Sequence, residues 1–101
     1  MPGNSLSTLA FLAKSLADEN RLRILLCVNQ GQKSVSGIVE ELNLSQPLVS
    51  HHLKELRRAL LVKVERRGPF IYYEIADARI TKILADLKDL ATDLLAARKT
   101  F

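Results

Sequence analysis

Residues 45–73 gather the side chains of this chain that could meet a polyanion. Gln46, Ser50, His51, Lys54, Arg57 and Arg58 follow Ser45 at helical spacing, and Arg66-Arg67-Gly68-Pro69 comes shortly after. This stretch holds six basic and two acidic residues, a net of +4, whereas the rest of the 101 residues has nine of each sign. A neutral body with one basic module points to a polyanionic partner, nucleic acid above all. An amide, a hydroxyl and an imidazole can read base edges, and cations can meet phosphates.

Those side chains need elements to hold them. Ser45 suits a helix cap, and Pro47 is tolerated in the first turn. At about 100° per residue, Val49, Leu53, Leu56 and Leu60 share one narrow face. Pro47, Ser50, His51, Lys54 and Arg58 lie opposite, with Gln46 and Arg57 at the flank. Just before this helix, Ser34 can cap a short one bearing Val35, Ile38, Val39 and Leu42. Asn43 suits a tight left-handed turn between the two. Two helices joined in this way form a helix-turn-helix, whose second helix enters the major groove of double-stranded DNA. Residues 62–66 and 70–75 are rich in β-branched and aromatic types around Gly68-Pro69. They predict a β-hairpin wing with Arg66 and Arg67 at its tip, placed to straddle the backbone or enter the minor groove.

Three further helices frame this device. Leu6, Leu9, Ala10, Ala13, Leu16 and Ala17 predict an amphipathic first helix over 5–17. Asp18 can cap a second, apolar nearly all round and ended by Gly31. Asp77 can cap a last helix reaching about residue 98, with Ile80, Leu84, Leu87, Ala91 and Leu94 stepping by four and three. The first and last helices carry more apolar surface than a small domain can cover. Leu6, Leu9, Ala13, Ile80, Leu84, Leu87, Ala91 and Leu94 are therefore expected in a homodimer seam. The expected fold is mainly α (α+β): a winged helix-turn-helix of about five helices and a two-stranded hairpin, in one domain over residues 1–101.

Composition excludes other classes. The chain is 48% hydrophobic, too apolar for a disordered basic tail. No apolar run reaches 18 residues, so no membrane span is expected. Met1-Pro2-Gly3-Asn4 lacks the features of a signal peptide, and the single Cys27 fits a reducing compartment; a cytoplasmic location is expected. There is no phosphate loop or nucleophile elbow. Ser50 and His51, as neighbours on a helix, do not face each other, so no catalytic dyad forms and no enzyme is expected. His51 and His52 diverge by about 100° and cannot share a metal. No cofactor is expected. Cys27, alone on an apolar helix, reads as a core thiol, with oxidation as its other reading.

Leu16-Ala17-Asp18-Glu19-Asn20-Arg21-Leu22-Arg23-Ile24-Leu25, Leu44-Ser45-Gln46-Pro47-Leu48-Val49-Ser50-His51-His52-Leu53, Leu61-Val62 and Tyr72-Tyr73 stand in the order found in the ArsR/SmtB family. The chain resembles these bacterial winged-helix repressors over nearly its whole length. The resemblance implies a homodimer formed by the first and last helices, binding to an inverted-repeat operator, and release by an inducer that the sequence leaves unnamed. The family usually has glycine where this chain has Leu60. Many relatives sense metals through a Cys-x-Cys at the third helix, but Ser34-Val35-Ser36 stands there. Another family site needs Asp, His and Glu in the last helix, which here offers Asp77, Asp86, Asp89 and Asp93 without histidine or glutamate. Hydroxyls are poor ligands for soft metals, so no metal site of the family is expected. Some redox-responsive relatives carry one cysteine of a pair at the position of Cys27, but the partner thiol is absent. Two alternatives stand beside the main reading: a winged-helix module that binds protein, and a repressor that responds to oxidants through Cys27.

Overall fold

Helix caps set the frame of the computed structural model, which describes residues 5–98. The elements are α1 (Ser5–Leu16), α2 (Glu19–Asn29), β1 (Lys33–Ser34), α3 (Val35–Leu42), α4 (Gln46–Arg58), β2 (Val62–Arg67), β3 (Phe70–Ile75) and α5 (Ala78–Ala97). Asp18 accepts from the Arg21 amide at 3.0 Å, Ser34 from Gly37 at 3.1 Å, Ser45 from Leu48 at 3.3 Å and Asp77 from Arg79 at 2.8 Å. Each cap satisfies an amide that the first helical turn leaves unpaired, worth about 1 kcal/mol. Asn43 takes the left-handed conformation, with φ 54° and ψ 45°, and turns the chain from α3 into α4.

α2, α3 and α4 meet around Ile24, Leu25, Val28, Ile38, Val49, Leu53 and Leu56, all buried. Leu61, Val62 and Leu84 extend this cluster towards the wing and α5. Leu84 was expected in the dimer seam with its heptad neighbours. It is 4% exposed within a single chain, so it belongs to the chain's own core. The other residues expected in the seam stay at least partly exposed.

Leu60 departs from the expectation that it continues the core face of α4. The helix ends at Arg58, and Leu60 is exposed with φ 62°. The Leu61 amide bonds the Leu56 carbonyl, and the Leu60 amide bonds the Arg57 carbonyl, both at 3.0 Å. That is a Schellman ending, which requires a left-handed residue, a place most often filled by glycine. Leucine adopts it at a cost of about 1–2 kcal/mol. Buried Leu56 and Leu61 supply the apolar contact that accompanies this motif.

The wing has a third strand that the sequence did not announce. β2 and β3 pair antiparallel from Val62↔Ile75 to Arg67↔Phe70. β1 adds to the other edge of β3 through Lys33↔Tyr73 and Ser34↔Tyr72, giving the order β1-β3-β2. Two residues are too short for a periodic signal. The architecture is otherwise the mainly helical winged helix-turn-helix expected.

Candidate nucleic-acid interface

α4 divides cleanly into two faces. Val49, Leu53 and Leu56 are buried, and Gln46, Pro47, Ser50, His51, Lys54, Arg57 and Arg58 are all exposed. The Ser45 cap and Pro47 leave the first turn open, where amides and short side chains can approach a groove. Lys54, Arg57 and Arg66 make no ion pair among the described residues. Arg58 bonds Glu55 at 3.2 Å. Arg57 and Arg58 also lie in the last turn, where cations favour the helix dipole.

The two arginines at the wing tip are not equivalent. Successive strand residues point to opposite faces. Arg67 bonds Glu65 at 2.6 Å, reaches the Gln32 carbonyl, and lies 4.8 Å over the Tyr72 ring. Its guanidinium stays charged, held by the Glu65 carboxylate. Gln32 donates in turn to Glu65 and Glu74, and Lys63 pairs with Glu74 at 3.3 Å. Arg67 is thus built into the wing, and Arg66, on the other face of β2 with Val62 and Val64, is exposed and makes no ion pair among the described residues.

His52 is buried although it neighbours exposed His51. Its Nε2 lies 3.7 Å from the Asp18 carboxylate, and its Nδ1 is buried without a hydrogen-bond partner among the described residues. Burial pushes the His52 pKa down, against the pull of Asp18. Asp18 is held below the usual carboxylate range, chiefly by the Arg21 amide. The histidine therefore docks the reading helix onto the cap of α2. Sequence spacing separated His52 from His51 by about 100° but gave no sign of this partner.

Cys27 is buried on α2, and its Sγ lies 3.2 Å from a Glu41 carboxylate oxygen. Burial and that hydrogen bond push its pKa up to about 11. The other Glu41 oxygen accepts from Lys33 at 2.9 Å. A thiol held in its protonated form is a poor nucleophile and a poor metal ligand.

Apolar surface remains open elsewhere. Leu6, Leu9 and Ala13 on α1, and Leu87, Ala91 and Leu94 on α5, are exposed. Leu16, Leu22, Leu26, Leu84, Leu87 and Ala91 line an apolar groove of about 450 Å³ between α1, α2 and α5.

Residues 18–64 match the family model described as bacterial regulatory protein, arsR family. An uncharacterized HTH-type transcriptional regulator of Methanocaldococcus jannaschii is 37% identical over 82 residues, 80% of this chain and 92% of that one. The HTH-type transcriptional repressor SmtB of Mycobacterium tuberculosis is 36% identical over 85 residues, 84% of this chain and 63% of that longer protein. Among solved structures, one is the homodimeric winged helix-turn-helix DNA-binding domain of a possible ArsR-family transcriptional regulator from Mycobacterium bovis. It superimposes with a TM-score of 0.84 at 28% identity and covers 100% of this chain and 99% of that one. Reduced HlyU from Vibrio cholerae gives 0.75 at 30% identity, over 83% of this chain and 88% of that one.

Proposed function

The chain belongs to the ArsR family of bacterial DNA-binding transcriptional regulators, and from that premise we propose that it is a cytoplasmic repressor which binds an inverted-repeat operator as a homodimer. The two-faced α4 carries this reading: one side is locked in the core, and the other presents Gln46, Ser50 and His51 to bases and Lys54 and Arg57 to phosphates. Arg66 contacts the backbone or the neighbouring minor groove. The seam is formed by α1 and α5, whose apolar stripes are exposed in the single chain; the homodimeric relative supports a dimer as such.

Fluorescence anisotropy with labelled DNA from upstream of the chain's own gene tests the proposal. Tight binding that random DNA does not match is the expected result. Gln46→Ala or His51→Ala should narrow that gap by about 1–3 kcal/mol. Equal weakening on both DNAs would reduce these residues to positioning.

The inducer on this reading is not a soft metal. Thiolate and imidazole donors are needed, and Cys27 is protonated and paired with Glu41, His52 is docked on Asp18, and His51 lies on the DNA face. Zinc, cadmium or arsenite at one equivalent should leave the operator complex intact.

A further inference from the structure

A second cleft, of about 350 Å³, opens between α1, the start of α2 and the end of α4. Phe11, Lys14, Ser15, Arg21, Glu55 and Arg58 line it. Three cations therefore face one carboxylate, and that carboxylate is already engaged by Arg58 at 3.2 Å. Arg21 donates its Nε to the Ser15 carbonyl at 2.7 Å and its Nη2 to the Lys14 carbonyl at 3.2 Å. Those bonds fix the guanidinium at the rim, so its charge is preorganised. Lys14 makes no ion pair among the described residues. Phe11 is 54% exposed, an aromatic ring left in water beside this cationic rim.

The cleft does not coincide with the proposed dimer seam. At about 100° per residue, Phe11, Lys14 and Ser15 lie on the side of α1 opposite Leu6, Leu9 and Ala13. Pairing of two copies through those leucines leaves the cleft open. Its volume lies at the small end of the range of ligand pockets, roughly 300–1,000 Å³. A fitting occupant is small, flat and apolar at one end and anionic at the other.

We propose that this cleft binds a small aromatic carboxylate. The carboxylate meets Lys14 and Arg58, with Arg21 completing the positive field, and the ring packs on Phe11. Glu55 and Arg58 belong to the last turns of the reading helix, so an occupant that draws Arg58 from Glu55 acts on α4. On the repressor reading, which this consequence alone rests on, such a ligand changes operator affinity, and operator changes ligand affinity by the same factor.

Titration of the full chain with benzoate, salicylate and 1-naphthoate tests the site, followed by amide chemical shifts and calorimetry. At least one acid should bind and shift the amides of Lys14, Ser15, Arg21 and Glu55. Benzamide, matched in shape but neutral, should bind about tenfold more weakly or not at all. Lys14→Glu should weaken the acid about tenfold or more, and Phe11→Ala severalfold, with amide spectra otherwise unchanged. Both residues are exposed, so neither change endangers folding. No binding by any of the three acids would overturn the proposal, as would shifts confined to the apolar groove between α2 and α5. Without any acid, Lys14→Glu should leave both operator affinity and its salt dependence unaltered. A smaller salt slope in that variant would reassign the cleft cations to DNA phosphate and also overturn the proposal. Operator binding by the wild-type chain alone is measured in parallel, so a failed repressor reading is distinguishable from a failed cleft.

Discussion

At Arg66 and Arg67, one strand position separates an exposed arginine proposed to meet DNA from one bound into the wing. Sequence placed both at the wing tip as equals, because alternation along a strand was legible but the partners were not. Gln32 and Glu65, far apart in sequence, take Arg67 into a side-chain network. Arg66→Ala should therefore weaken binding to all DNA and reduce the slope of log affinity against log salt by about 1. Arg67→Ala should reduce that slope less and lower thermal stability more. Equal slopes in the two variants would sink the distinction. Cys27 poses a similar contrast between type and surroundings. Its thiol was legible as a core residue, but Glu41, which holds the proton on sulfur, was not. With a pKa of about 11 against an ordinary 9.0, the thiolate is about 100-fold scarcer at pH 8. Iodoacetamide should react with the folded chain on the order of 100-fold more slowly than with the chain in denaturant. A comparable rate in the two states would mean that Cys27 is reactive in the fold.

Helix boundaries were the most legible elements, because caps are local. Asp18, Ser34, Ser45 and Asp77 each declare a start through a side chain that satisfies an amide two or three residues on. The end of α4 was misread for the opposite reason. Leu60 continues the apolar spacing, and nothing in a leucine announces a left-handed backbone. β1 was invisible because its two residues gain order only from β3. The docking of α4 on α2 through His52 and Asp18 has a measurable signature in pH. The groups facing His52 are Asp18 and Arg21 from the start of α2, and His51 and Glu55 from α4 itself. Its folded pKa lies below the unfolded value of 6.5, so the unfolded chain takes up a proton first as pH falls. Stability from this group is complete above about pH 6.5 and is lost below it, towards the folded pKa. The depressed carboxylates Asp18, Glu41, Glu65 and Asp77 act at lower pH, and of these the Asp77 pKa is lowered to about 2. Melting temperature should thus fall between pH 7 and pH 5, and His52→Gln should flatten that fall. An unchanged profile in the variant would show that His52 does not carry it.

The single chain is more drawn out than a closed domain of its length. Its radius of gyration is 15.1 Å, against about 13 Å for a compact chain of 100 residues. In α5, the described residues beyond Leu84 are all exposed. Leu87, Leu90, Leu94 and Leu95 are between 46% and 61% exposed, which is a continuous stripe rather than scattered apolar residues. The spacing made the stripe legible in the sequence, but Leu84 is buried in the chain's own core and Ile80 packs against it. Leu94→Glu should therefore convert the chain to a monomer in sedimentation velocity, because an unpaired carboxylate in an apolar seam costs several kcal/mol. It should leave the helical spectrum of the folded chain intact. A dimer that survives the change would place the seam elsewhere. Ser34 has a consequence on this scale as well. The same residue caps α3 and pairs with Tyr72 in β3, so the wing is tied by backbone bonds to the first helix of the reading pair. Wing and reading helix are one preformed tool, and meeting DNA does not require a segment to fold. Calorimetry of operator binding should give a heat-capacity change that matches the apolar area covered, without the larger value of coupled folding. For such a tool, time on an operator is governed by how contacts break, and not by how a loop becomes ordered.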